Sequence, residues 1–270
     1  MTLPAISIVT ISFNQARYLT AALESVLAQD YPGLDYIVVD PGSTDGSREI
    51  IAAYRDRLAA VVLDADRGPA DGLNHGFAAA RGDIFGYINA DDLLLPGALR
   101  TVARRFAERR EADVLCGNGV LIDSAGEVIR PIATSAFSRR ALAYGAMTFV
   151  QQGNFFRRAA FEAAGGFNAG NRTCWDAELL LDMAFAGARV INVPDRLGAF
   201  RLYGETITGS GRLAAQTRVD HARLRDRALG RPPRAVDAVL RPAHLWLRRL
   251  THPGGAMAGV TARWRARPRG

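Results

Sequence analysis

Through the first 120 residues, short apolar runs alternate with stretches of helical periodicity. ISIVTIS (6–12), DYIVVD (35–40), AAVVLD (59–64), DIFGYIN (83–89) and DVLCGNG (113–119) are β-branched and aromatic enough to predict five strands. Between them, Leu19, Leu23, Val26 and Leu27 recur at helical spacing within 15–29, and helices are predicted over 47–57 and 70–81 and from Pro96 to about Arg110. This rhythm predicts an α/β fold with a central, mainly parallel sheet flanked by helices on both faces.

The second half is less regular. A hairpin is predicted over 120–131 around Ser124-Ala125-Gly126, a short helix over 138–145 and an extended segment over 147–158. Residues 159–167 read as a helix with a Gly-Gly stop, and 174–187 as a helix with Leu180, Met183 and Ala184 facing inward. ARVINVP (188–194) and LGAFRLY (197–203) read as edge strands, 204–211 as a flexible loop and 212–229 as a very polar helix. No internal repeat is evident.

The polar residues collect where strands end. Strand one ends in Ser12-Phe13-Asn14, strand two in Asp40-Pro41-Gly42-Ser43-Thr44-Asp45, strand three in Asp64-Ala65-Asp66-Arg67-Gly68 and strand four in Asn89-Ala90-Asp91-Asp92. Asp, Asn, Ser and Gly are also ordinary turn residues, so one such end carries little information. Four consecutive ends on one edge point to a ligand site at the carboxyl ends of the strands. The adjacent Asp91 and Asp92 repel each other, and no basic residue stands beside them in the sequence. Their counter-charge is therefore expected to arrive with a ligand.

Composition changes this picture at one end only. The formal net charge is +7, and all 34 basic residues are arginine. From Arg231 onward there are nine arginines and one acid, Asp237, so the tail carries +8 and the rest of the chain 7 − 8 = −1. Nucleic-acid binding by the whole chain loses its support, and a basic tail points to an acidic surface such as anionic lipid. HLWLRRL (244–250) and Trp264 among arginines fit that surface, against the alternative of a solvated tail. No 18-residue apolar run or positively charged leader stands out, and two cysteines are too few for a disulfide framework. The expectation is a cytoplasmic protein, peripheral at the inner face of the membrane.

Motifs for several chemistries are absent: a phosphate-binding GxxxxGK[ST] loop, a GxGxxG after the first strand, a GxSxG elbow and metal-ligand spacing of the four histidines. A parallel sheet with carboxylates but no dedicated metal cage matches a hard divalent cation completed by substrate phosphates. The substrate would then be a nucleoside diphosphate bearing a group to transfer.

SIVTISFNQARYLTAALESVLAQDYPGLDYIVVDPGSTDGS, followed by DRGPADGLNHGFAAARGDIFGYINADD, resembles the family 2 glycosyltransferases of the GT-A fold. The resemblance runs from about Ser7 to about Ala186 through SFN, VDxGSTDGS, DRG with NxG, xDD, GGF and a late acidic helix start. It implies a nucleoside-diphosphate-sugar donor, a saccharide or lipid-linked saccharide acceptor, a divalent cation (Mn²⁺ or Mg²⁺), inversion, and work in cell-surface polysaccharide or glycolipid synthesis. It also implies that Phe13 stacks near the nucleobase, Asp40 lines the base or ribose pocket, and Asp66 and Arg67 border the nucleotide. Asp91 would lie near the ribose, Asp92 would bind the metal, and Asp176 would be the catalytic base. The transferase domain is expected over 1–230, with a nucleotide-binding half of about 1–120, an acceptor half of about 121–230 and a basic tail over 231–270.

Two positions depart from the family's pattern. Pro41 stands where relatives often carry an acid or glycine, which leaves the nucleobase open, and Trp175 stands where Glu often precedes the base. The QxxRW motif of processive synthases is absent, which favours transfer of one sugar at a time. An inactive nucleotide-sugar-binding module is the alternative function. Asp40 and Asp45 have a second reading as turn and helix caps, Asp176 as a helix N-cap, and Phe13 as core. Glu178 reads equally as a first-turn helix acid and as an acceptor-site carboxylate.

Overall fold

A computed structural model describes residues 3–204 and 213–251; the predicted 204–211 loop lies almost wholly outside the described residues. The first half follows the predicted rhythm: β1 (Ile6–Ile11), α1 (Ala16–Leu27), β2 (Leu34–Val39), α2 (Ser47–Ala53), β3 (Ala60–Val62), α3 (Pro69–Ala79) and β4 (Ile84–Asn89). A short β5 (Leu93–Leu94), not predicted, precedes α4 (Ala98–Glu108). Pro96 lies outside α4, because Gly97 takes a left-handed conformation (φ 75°) at the helix N-cap. Then follow β6 (Val114–Ile122), β7 (Val128–Ile132), α5 (Arg139–Ala143), β8 (Asn154–Arg157), α6 (Arg158–Ala163), α7 (Trp175–Phe185), β9 (Val190–Arg201), α8 (Ala214–Leu229) and α9 (Asp237–Thr251).

One sheet joins both halves in the order β3-β2-β1-β4-β8-β6-β9-β5, with β7 paired to β6. β1 pairs in parallel with both β2 and β4, so the strand order reverses beside β1 and leaves a crevice at the carboxyl ends. β8 runs antiparallel between β4 and β6, and β6 pairs in parallel with β9. The stretches expected as two edge strands are thus one strand, β9, placed inside the sheet between β6 and β5. Pro194 does not break it, because the β6–β9 register shifts around Asn118, whose amide donates to the Pro194 carbonyl at 2.9 Å.

The continuous apolar strands reflect burial on both faces. Ile8, Leu19, Leu23, Ile88 and Leu99 pack on one side, and Val9, Val39, Leu73, Phe77 and Phe156 on the other. α3 is rich in small residues because it lies close to the sheet. A Cβ on Gly76 would come within 2.5 Å of Val9 Cγ1, and one on Gly72 within 2.5 Å of Asp66 Oδ2. A side chain at Gly76 would push α3 off the sheet, and one at Gly72 would displace the Asp66 carboxylate.

Polar residues at the first two strand ends hold the backbone. Asp45 Oδ2 accepts from the Ala16 amide (2.8 Å) at the start of α1, and Asp45 Oδ1 from Ser47 N (3.1 Å) and Ser47 Oγ (2.6 Å). Asn14 Oδ1 accepts from Thr44 N (2.9 Å), while Ser43 Oγ accepts from Asn14 N (2.8 Å). Much of the SFN and GSTDGS pattern is therefore a reciprocal clasp that satisfies the first amides of α1.

Candidate active site

A cavity of about 620 Å³ opens over the carboxyl ends of β1, β2 and β4 and is closed from the other side by the start of α7. That volume lies within the range of small-molecule sites. Phe13, Asp66, Arg67, Asp91, Trp175 and Asp176 all line it. Residues read from two distant parts of the sequence thus meet in one space. Phe13 is 59% exposed, so its reading as core does not hold.

Asp40 lies beneath the cavity. Its Oδ1 accepts from Gly42 N (3.0 Å), Ser43 N (2.7 Å) and Arg48 Nε (3.2 Å), and its Oδ2 is buried without a partner. Burial pushes the carboxyl up, but the Ser43, Gly42 and Arg48 hydrogen bonds prevail and hold it below its ordinary value. Asp66 Oδ1 accepts from Gly68 N (2.8 Å); burial, with Asp71 nearby, raises its pKa. Arg67 forks onto Asp71 (Nε–Oδ2 3.0 Å, Nη2–Oδ1 2.9 Å) and draws it down to about 2. Its carbonyl accepts from Arg172 Nη2, which ties the loop before α7 to the loop before α3.

The two adjacent acids separate. Asp91 lines the cavity, with the Tyr203 hydroxyl 3.0 Å from its Oδ2. Asp92, expected to bind the metal, is fully buried and does not reach the cavity wall. Its Oδ1 accepts from Arg201 N (2.9 Å), and its Oδ2 from Asn89 Nδ2 (3.0 Å) and Gln152 Nε2 (2.5 Å). Burial, then the neighbouring Asp91, raises Asp92 well above the carboxylate range. Burial also raises Asp91, partly offset by Tyr203 and Arg201. Arg201, itself buried, donates from Nε to the Asp91 carbonyl (2.7 Å) and from Nη1 to the Asp123 carbonyl (2.9 Å), and stacks 4.7 Å over Tyr18. A guanidinium 110 residues along the chain thus lies beside the pair and, without bonding either carboxylate, offsets part of the rise at Asp91.

α7 repeats the arrangement. Cys174 is its N-cap and Asp176 falls in the first turn, so Asp176 is not the N-cap. Asp176 Oδ1 accepts from Ala177 N at 2.8 Å, and burial lifts the carboxyl to about 6. Glu178 turns the other way. It is 1% exposed and takes a fork from Arg223 (2.8 and 2.9 Å), Arg227 Nη1 (2.5 Å) and Asn171 Nδ2 (2.6 Å). It is neither an acceptor-site carboxylate nor a simple first-turn acid; it fastens α8 to α7. Asp220 on α8 adds a hydrogen bond from Thr173 Oγ1 at 2.7 Å. The very polar helix owes its composition to these bonds.

The sequence reading does not reach Gln151, Gln152, Arg172, Arg201 and Tyr203. The available signal was polar residues inside apolar runs, as in VQQGNFF (150–156) and AFRLY (199–203). Cys116 and Cys174 are free and buried, and burial pushes their thiols up to about 12 and about 11, which removes them as nucleophiles. Among the described residues no three acidic, histidine or cysteine side chains form a metal cluster, and no helix is long and apolar enough to cross a membrane.

The model of the family described as "Glycosyl transferase family 2" matches residues 7–165. A succinoglycan biosynthesis protein, ExoO, of Rhizobium meliloti is 31% identical over 137 residues, 50% of this chain and 39% of that protein. The matched stretches span about two fifths of the length of the first curated relatives. Residues 1–349 of S. aureus TarS, solved with UDP-GlcNAc, superpose with a TM-score of 0.69 at 17% identity, covering 92% of this chain and 73% of that one. The mannosyltransferase PcManGT of Pyrobaculum calidifontis, solved with GDP-Man and Mn²⁺, gives 0.65 at 22% identity, covering 100% and 77%. These two likenesses concern the fold, whereas the family model covers more than half of the sequence. The chain belongs to glycosyl transferase family 2.

Proposed function

We propose that this glycosyltransferase moves a single sugar from a nucleoside-diphosphate sugar to an acceptor hydroxyl with inversion, in the synthesis of a cell-surface polysaccharide or glycolipid. The observation that carries the reading is the meeting of Asp91 and Asp176 in one cavity, each with its neighbouring acid locked into the fold. Residues of about 1–120 would take the donor and about 121–230 the acceptor. Phe13, exposed at the cavity, would stack on the nucleobase, with Asp40, Asp66 and Arg67 around the nucleotide. The ligands of the two structural neighbours, UDP-GlcNAc and GDP-Man, support the donor class, and the name of ExoO supports the polysaccharide setting.

The residues fit one divalent cation, Mn²⁺ or Mg²⁺. Asp91 is the carboxylate on the wall, Asp92 has its oxygens engaged, and a donor diphosphate would supply the remaining oxygens. Bound there, the ion supplies a Lewis acid for the leaving diphosphate. The protein's own contribution is the base. Asp176, with a carboxyl at about 6, is ionised at neutral pH yet close enough in pKa to accept the acceptor proton. The cavity holds donor and acceptor in one geometry, which removes much of the entropic cost of their meeting. A lipid-linked saccharide suits the acceptor role, with peripheral contact at the inner membrane face through the basic tail.

The test is a panel of nucleoside-diphosphate sugars with Mn²⁺, reading release of nucleoside diphosphate and the anomeric configuration of the product by NMR. Metal-dependent release with inverted configuration is expected. Absence of release across the panel, or retained configuration, would contradict the proposal.

A further inference from the structure

α9 carries two opposed faces. Asp237 accepts from the Tyr144 hydroxyl (2.7 Å) and from an Arg231 fork (2.8 and 2.7 Å). One heptad on, the ring of His244 packs 4.9 Å from that of Tyr144. Those contacts fix which side of α9 meets the body. Val239 and Trp246 stand two positions beyond Asp237 and His244, which places them about 200° around the helix, on the far side. There Val239 is 70% exposed and Trp246 63%; Leu247 on the flank and Val236 just before the helix are exposed too. Large apolar side chains aligned on the outer face of a well-anchored helix mark an interaction surface rather than scattered surface residues.

Charge selects the occupant. From Arg231 onward the chain has nine arginines against one acid, and that acid, Asp237, is already held by Arg231. A second copy of the chain would bring two such basic segments together and repel. An anionic lipid surface supplies the opposite sign and, beneath its headgroups, an apolar layer for valine and tryptophan side chains.

We propose that the outer face of α9, built on Val239 and Trp246, docks the protein onto an anionic membrane surface, with arginines of the basic segment from Arg231 onward engaging lipid headgroups. This deepens the peripheral-membrane part of the reading above and does not depend on the sugar-transfer part.

The test is sedimentation of the full chain with phosphatidylcholine vesicles, with and without one third phosphatidylglycerol, at low and high salt. The wild type should pellet with the anionic vesicles at low salt, and at least about tenfold less with neutral vesicles or at high salt. The double variant Val239→Asp/Trp246→Asp should lose about tenfold or more on the anionic vesicles. Both substitutions lie on an exposed face away from the cavity, and the melting temperature of the variant checks that it folds. Trp246→Phe, a milder change, should retain most binding. Equal pelleting of wild type and double variant, or equal binding to neutral and anionic vesicles, would overturn the proposal. So would a wild-type dimer in analytical ultracentrifugation that the double variant abolishes. Release of nucleoside diphosphate without vesicles, measured on the same preparations, should match between wild type and variant. Its absence from both would count against the transferase reading and leave the vesicle result standing.

Discussion

Two pairs of acids, Asp91–Asp92 beyond β4 and Asp176–Glu178 at the start of α7, solve one electrostatic problem in different ways. In each pair one member is buried with its oxygens engaged by distant residues, and the other lines the cavity. The donors differ. Asp92 is held by a backbone amide and two neutral side-chain amides, while Glu178 is held by two guanidinium groups and two asparagines. Neutral amides satisfy lone pairs without supplying charge, so burial drives the Asp92 carboxyl up. The cavity members differ too. Asp91 has the Arg201 guanidinium and the Tyr203 hydroxyl close by, whereas Asp176 has only backbone donors, and its pKa rises to about 6. On the proposed reading, the first pair would meet a cation completed by donor phosphates and the second would take a proton.

The largest expected effect falls on the proton site. Asp176→Asn should cut turnover by about 10² to 10⁴ and leave the Kd for the donor with Mn²⁺ close to wild type, as read by calorimetry. Turnover within about twofold of wild type would remove Asp176 as the base. The same variant sharpens the comparison through stability. The folded-state value of about 6 lies above the unfolded value near 3.9, so the folded form binds more protons between them. Wild-type stability therefore falls as pH rises through that window. Asp176→Asn should melt higher than wild type above pH 6, by about 2–4 °C for each kcal/mol released, with the advantage shrinking toward pH 4.

Next in size is the member locked into the fold. Glu178→Ala strips the partner from the half-exposed Arg223 and Arg227 and from two asparagine amides, and should cost about 1–3 kcal/mol in denaturant unfolding. A loss below about 1 kcal/mol would make the α7–α8 clasp an ordinary surface ion pair. The pH–rate profile follows. kcat/KM should fall about tenfold per pH unit below the Asp176 value of about 6 and level off above it. Smallest is Tyr203→Phe, which removes one hydrogen bond from Asp91 and should weaken donor binding by about 1 kcal/mol in isothermal titration.

How much of this was legible depended on sequence distance. β1, β2 and β4 were read almost to the residue because each is apolar on both faces and bounded by turn residues. Asn74 of NxG exchanges hydrogen bonds with the backbone of Phe167 of GGF (2.8 and 2.9 Å), a contact within reach of the sequence because it joins two of its motifs. β9 was split in two because Pro194, Asp195 and Arg196 look like a break, and its place between β6 and β5 depends on long-range pairing. The burial of Asp92 within INADD is illegible for the same reason. Nothing near Asp92 announces that Gln152 and the Arg201 backbone will consume its oxygens. The motif locates the site, and partners 60 and 109 residues away decide which acid faces it.

The most direct test of that division is Mn²⁺-dependent donor binding by Asp91→Asn and Asp92→Asn, followed by calorimetry with UDP-GlcNAc or whichever panel member the wild type accepts, beside the melting temperature of each. Asp91→Asn should bind donor without response to Mn²⁺ while melting near wild type. Asp92→Asn should melt lower, because its new amide faces the Asn89 and Gln152 donors, yet still bind donor more tightly with Mn²⁺. The opposite pattern, with Mn²⁺ dependence kept in Asp91→Asn and lost in a stably folded Asp92→Asn, would contradict it.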